Sequence, residues 1–233
     1  FAWIAGTRGL KLRLTPRNAI SYANHISKGR WLVVSGLCNY LYNSSFLALI
    51  GYLATLQEAG LFRAASAIAM QIAIAGGIAQ QLLYPRFVDL ARTNPRELSR
   101  LQNRCISTIC VVAVPVVVAT VVWSSDILEV FFGQNYVGAA EAFPILVLTR
   151  FFALGATVYA LGLWAKGNDK LMASVMIVLT LQTLTISVII IPIYGIVGAA
   201  WCALVAEISS FLLTLAAHRY KLRAHASVHP AKV

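Results

Sequence analysis

Two ionisable side chains stand where an apolar chain seldom holds charge. Arg150 lies about eight residues into the run AFPILVLTRFFALGATVYALGLWA, hence ~12 Å deep in a helix that rises ~1.5 Å per residue. Glu207 lies about eleven residues into IVGAAWCALVAEISSFLLTLAA. A charge at such depth costs at least ~2.5–3.5 kcal/mol on insertion scales, so a partner or a water-filled cavity is expected around it. A guanidinium fork suits the oxygens of a phosphate, which makes Arg150 a candidate anion contact. A structural ion pair, or hydrogen bonds to helix carbonyls, is the plainer alternative. Three roles fit Glu207: a proton or cation site, a partner for Arg150, or a neutral, protonated acid. Ser210, Thr214 and His218 extend its face at helical spacing. Arg63 opens another apolar run, where a long cationic side chain reaches back to the interface or adds to an anion site. Asn39, Asn43 and Gln71 sit inside apolar runs. They suit a hydrophilic cavity for sugar hydroxyls, or hydrogen bonds between helices. These six residues are the candidate substrate contacts. No catalytic residue, metal site or cofactor is expected. The four cysteines form no C-x-x-C pair, and His225 and His229 fall in a tail with no evident helix.

The elements that must position these residues are apolar segments long enough for a helix to cross a bilayer, roughly 20 residues each. The chain resolves into six: about 31–55, 64–84, 105–123, 142–165, 171–191 and 196–217. Asn39 and Asn43 share a face of the first. Glycines and alanines thin the second, GLFRAASAIAMQIAIAGGIAQQLLYPR, for close packing, and Pro85 with Arg86 is expected to close it. Leu56–Gly60 reads as the turn before it. Pro115 marks a kink in the third. Thr180, Thr183 and Ser187 line one face of the fifth. Residues 1–30 read as a basic cytoplasmic segment with a short surface helix from about Asn18, residues 31–218 as the membrane bundle, and residues 219–233 as a basic tail. The start at Phe1 is expected of a fragment or a processed chain, and FAWIAG reads as the end of an earlier helix.

Composition agrees with a membrane solvent. Of 233 residues, 59% are hydrophobic and 12% charged, and the mean hydropathy is +0.76. Soluble domains hold about 45–50% apolar and about 25% charged residues. The formal charge of +11 would fit nucleic acid only if the cations gathered on a soluble face. They lie between apolar runs instead, where topology and anionic lipids account for them, so no nucleic-acid partner is expected. With the start placed in the cytoplasm, seventeen of the 19 Lys and Arg fall on that side, the exceptions being Arg63 and Arg150. By the positive-inside rule both termini are expected to be cytoplasmic. The fold class is therefore all-α: a polytopic membrane protein with a six-helix transmembrane bundle.

Four phrases carry a likeness to a known family. They are Gly60-Leu61-Phe62 through Tyr84-Pro85-Arg86, Phe132-Gly133 with Tyr136 and Ala139-Ala140, Leu163 through Ala165-Lys166-Gly167, and Pro192-Ile193-Tyr194-Gly195-Ile196-Val197-Gly198-Ala199-Ala200. In this order the chain resembles, over about residues 30 to 218, the C-terminal half of the polysaccharide flippases, the O-antigen and exopolysaccharide exporters. Their superfamily also holds the multidrug (MATE) exporters and the lipid II flippases. The resemblance implies one lobe of a two-lobe, MATE-like transporter, with a missing N-terminal lobe or a partner subunit. It also implies a central cavity, alternating access and no enzymatic step. The implied cargo is an undecaprenyl-pyrophosphate-linked oligosaccharide, flipped across a bacterial inner membrane among membrane lipids for polysaccharide biosynthesis. Lipid II flippases carry a basic residue about one turn into the helix of Arg63; Ser66-Ala67 stands there here.

Three other functions are weighed against this one. A multidrug or metabolite exporter of the same superfamily calls for several intramembrane acids, and only Glu207 qualifies. A membrane enzyme calls for acidic or His-rich surface loops, which the short turns lack. A non-transporting scaffold calls for a paired Arg150 and Glu207 with no cavity between helices.

Overall fold

A computed structural model describes residues 31, 33–42, 44, 48–165 and 167–228. The basic segment read at 1–30 lies outside the described residues, as does Asn43. Every described position from 31 to 53 is helical, and these residues are α1. It is followed by α2 (Leu56–Thr93), α3 (Pro95–Val122), α4 (Ser124–Phe132), a 3-10 segment (Gln134–Ala139), α5 (Ala142–Ala165) and α6 (Asp169–Val228). The described residues are thus an all-α assembly. Four of these helices are long and apolar enough to cross a membrane: α2, α3, α5 and α6.

Helix ends differ from the sequence reading in three places. The turn expected at Leu56–Gly60 is the start of α2, because Thr55 is extended and its hydroxyl accepts the Glu58 N–H at 3.1 Å, a side-chain N-cap. Arg63 therefore sits well inside α2 and not at its start. Pro85 does not close the helix either. α2 continues through it to Thr93, and Asn94, which precedes Pro95, makes the break. Asn94 then caps α3 by accepting the Glu97 N–H, so the arginine-rich stretch between the second and third apolar runs is almost wholly helical. Third, α6 runs on to Val228, so most of the tail continues a helix.

α6 has 60 residues, about 90 Å at ~1.5 Å per residue, far more than a ~30 Å hydrocarbon layer can hold straight. It breaks at Gly195, where φ 52° and ψ −133° need the freedom of a residue without Cβ. The two arms fold back on each other: Gln182 Nε2 donates to Ser209 Oγ at 2.8 Å, with the break midway between them. The Glu58 carboxylate lies against this corner, where a Cβ on Gly195 would come within 2.9 Å of Oε2.

α5 is the central helix, packed against α2, α3 and α6. Its small residues admit neighbours. A Cβ on Gly155 would lie 2.9 Å from the Phe211 ring, and one on Gly162 would strike the Gln102 amide. Gln102, Gly162 and His218 meet there, so the basic end of α3, the end of α5 and the second arm of α6 lie at one level. Glu58 with Gly195, and Leu61 with Gly138, meet at the other. The perimeter is apolar: Val111, Val114, Val118 and Val121 form an exposed stripe on α3 at helical spacing. In water such a stripe would be a liability; against lipid it is what hydrocarbon requires. The chain is a multi-pass membrane protein with several apolar spanning helices.

Candidate functional site

Inside the bundle two chambers lie on either side of a waist. The chamber toward the Gly195 corner has about 330 Å³ and is lined by Arg63, Ser66, Gln71 and Thr149, with Phe62, Met70 and Ile74. The chamber toward the basic ends has about 300 Å³ and is lined by Asn39, Gln80, Thr157, Ser210 and Thr214, with Trp164 and Met176. Tyr42, Arg150 and Glu207 line both and form the waist. Five of the six residues singled out from sequence therefore surround one polar interior, and the sixth, Asn43, is outside the described residues.

Each waist residue comes from a different part of the fold. α5 carries Arg150 at its centre and buries most of its own surface against α2, α3 and α6. The second arm of α6 carries Glu207, which is 9% exposed. α1 carries Tyr42, whose hydroxyl donates to Glu207 Oε1 at 2.9 Å. This bond ties the first described helix to the last. Arg150 and Glu207 face the same chambers, yet no ion pair joins them within 4.0 Å. The Arg150 Nε–H is buried and makes no hydrogen bond among the described residues. Arg150 lines both chambers, and the natural complement of a guanidinium there is an anion.

The other candidates take positions around that centre. Arg63, exposed on α2, points a second cation into the corner-side chamber. Gln71 shares that chamber and also donates to the Ala67 carbonyl at 3.4 Å, so part of its hydrogen-bonding capacity is spent within its own helix. Asn39 lines the basic-side chamber. On the fifth apolar run, Thr180, Thr183 and Ser187 are buried, and Thr180 Oγ1 donates to the Cys38 carbonyl of α1 at 3.2 Å. These serve packing between helices and do not line the chambers.

Sequence reasoning missed Tyr42, Gln80 and Thr157. Tyr42 had a signal, since it stands three residues from Asn39 on one helix face. A tyrosine in an apolar run reads first as an interface anchor, and its partner is 165 residues away. Gln80 had the weaker signal of an amide inside a spanning helix.

Fold and cavity together define an all-α, multi-pass membrane protein with a charged polar interior. Over residues 2–141, more than half of its length, the chain matches the polysaccharide biosynthesis protein family, and it belongs to that family. The match ends just before α5, so Arg150 and Glu207 lie beyond it. Among similar proteins, a probable low-salt glycan biosynthesis flippase of Haloferax volcanii is 22% identical over 213 residues, covering 91% of this chain and 44% of that protein. A putative O-antigen transporter of Shigella flexneri is 20% identical over 175 residues, covering 74% of this chain and 41% of that protein. The chain thus spans less than half the length of either relative. No solved structure matches it.

Proposed function

We propose that this chain is one lobe of a membrane flippase that carries lipid-linked (undecaprenyl-pyrophosphate) oligosaccharide across the bacterial inner membrane for polysaccharide biosynthesis. The observation that carries the reading is Arg150, a guanidinium on the central spanning helix that lines both chambers and whose Nε–H meets no acceptor among the described residues. In this reading the pyrophosphate sits at Arg150, and Arg63 adds a second cation on the corner side. Asn39 and Gln71, with Asn43, offer amides to sugar hydroxyls. Glu207, held by Tyr42, offsets the arginine's charge without capping it.

The two arms of α6 count as separate crossings, which with α1, α2, α3 and α5 gives six. The charge pattern supports cytoplasmic termini. Such a lobe pairs with a second one, as a further part of the protein or as a partner subunit, in a MATE-like arrangement. Rocking of the two lobes then exposes the cavity to each side in turn. The waist suits this motion, because the Tyr42–Glu207 hydrogen bond and the Arg150 guanidinium stand where the two chambers meet. Bilayer lipids are the surrounding partners, and the work is translocation, with no bond of the cargo made or broken.

The test is Arg150→Ala in the protein as the cell makes it. Loss of one charge-assisted contact is expected to slow export about ten- to a hundredfold, read as surface polysaccharide, while the protein stays in the membrane at its usual level. Normal surface polymer would remove Arg150 from the site and with it this reading.

A further inference from the structure

A third cavity, of about 550 Å³, runs between α2, α3 and α5 on the side of α2 away from the corner-side chamber. Its walls are almost wholly apolar, among them Leu83, Ile109, Val112 and Leu154. Arg104 stands at its basic end. Two of its wall residues, Gln80 of α2 and Thr157 of α5, also line the basic-side chamber. The apolar groove and the polar chamber therefore adjoin along the α2–α5 seam. Further along the same seam the two helices press together, since a Cβ on Gly76 would run into Leu154.

This division of polarity matches one molecule with two ends. An ordinary apolar core helix has no need of a groove beside a charged chamber, and a water-soluble ligand has no use for one. Resting on the flippase reading above, we propose that the groove receives the hydrocarbon chain of the lipid carrier while its pyrophosphate occupies the chamber at Arg150. Gln80 and Thr157 then form the threshold where the chain leaves the polar interior. The occupant is a polyprenyl chain joined to a single anionic head. Burying it against Leu83, Ile109 and Val112 takes little from the bilayer, whose tails are equally apolar. The groove contributes register: it fixes where the chain exits, and so where the head stops.

Two photoreactive polyprenyl pyrophosphates test this, one with a diazirine along the chain and one with it at the pyrophosphate end. Each is photolysed on the whole protein in nanodiscs, and the labelled residues are mapped by mass spectrometry. The expected result is chain labelling at Leu83, Ile109 and Val112 and head labelling at Met70 or Trp164. Unlabelled polyprenyl pyrophosphate removes both, and excess phosphatidylglycerol removes neither. Ala79→Trp, which fills the groove, lowers chain labelling about tenfold, and head labels stay in the chambers but spread from their wild-type positions. Chain labels scattered over the lipid-facing stripe at Val114 and Val118, or removed by phosphatidylglycerol, would overturn the inference and leave ordinary bilayer lipid in the groove. Should the head probe mark the chambers while the chain probe misses the groove, this inference alone fails. Should the head probe miss the chambers, the flippase reading fails with it.

Discussion

α3 and α5 both qualify as membrane spans, and the more apolar of the two is the less buried. The spanning window of α3 has a mean hydropathy of 2.6 with 6% of it buried; that of α5 has 1.7 with 56% buried. In a water-soluble domain this order would be reversed. In a bilayer, hydrocarbon selects for apolar side chains on the outside, and the interior is free to hold small, polar and charged ones. α3 obeys by showing a valine stripe to lipid and keeping Arg100 and Arg104 near its basic end. α5 uses the opposite freedom. It packs with Gly155, Ala156 and Ala160 and carries Arg150 at mid-span. A charge on α5 is thus affordable for a reason α3 does not share: a cavity stands beside it.

The largest effect that sharpens this contrast is the loss of export expected for Arg150→Ala. Its counterpart on α3 is Val114→Arg, which puts the same charge on a lipid-facing position. It is expected to cost at least ~2.5–3.5 kcal/mol of insertion, read as a fall in membrane-integrated protein. If Val114→Arg inserts as well as the wild type, the two helices do not differ in the way described. Next comes Arg150→Leu, assayed for thermal stability in detergent. An arginine held in a buried structural pair would lose about 3–5 kcal/mol on removal of its charge. An arginine facing a polar chamber with an unbonded Nε–H is expected to show no such loss, even though export fails. Gly155→Leu would force the Phe211 ring aside and lower stability by about 1–3 kcal/mol. Tyr42→Phe removes one hydrogen bond to a carboxylate, about 1.5–3 kcal/mol where the acid is ionised, and should loosen α1 from α6 by crosslinking or hydrogen exchange. The smallest effect belongs to Val114→Leu, expected within about 0.5 kcal/mol of wild type, since lipid accepts either side chain.

Much of this architecture was readable before any coordinates, because hydrocarbon imposes a blunt rule on composition. The described residues of the apolar runs lie almost entirely in helices, and Arg150 and Glu207 stood out as charges inside them. Helix ends were harder. Pro85 looked like a terminator, but α2 carries through it to Asn94, where the residue before Pro95 breaks the helix instead. Thr55 was passed over as an N-cap, which misplaced Arg63 at a helix end. The Tyr42–Glu207 bond was illegible for another reason: it joins the first described helix to the last, and nothing local in either segment encodes the meeting. The absence of an ion pair between Arg150 and Glu207 belongs with it. Matching depth in two helices says nothing about which faces turn toward each other.

The most direct measurement of the central claim is the affinity of the purified protein for a polyprenyl-pyrophosphate-linked oligosaccharide, compared between wild type and Arg150→Gln at equal melting temperature. The account predicts binding about tenfold weaker or worse in Arg150→Gln. Equal affinity in the two proteins would contradict it.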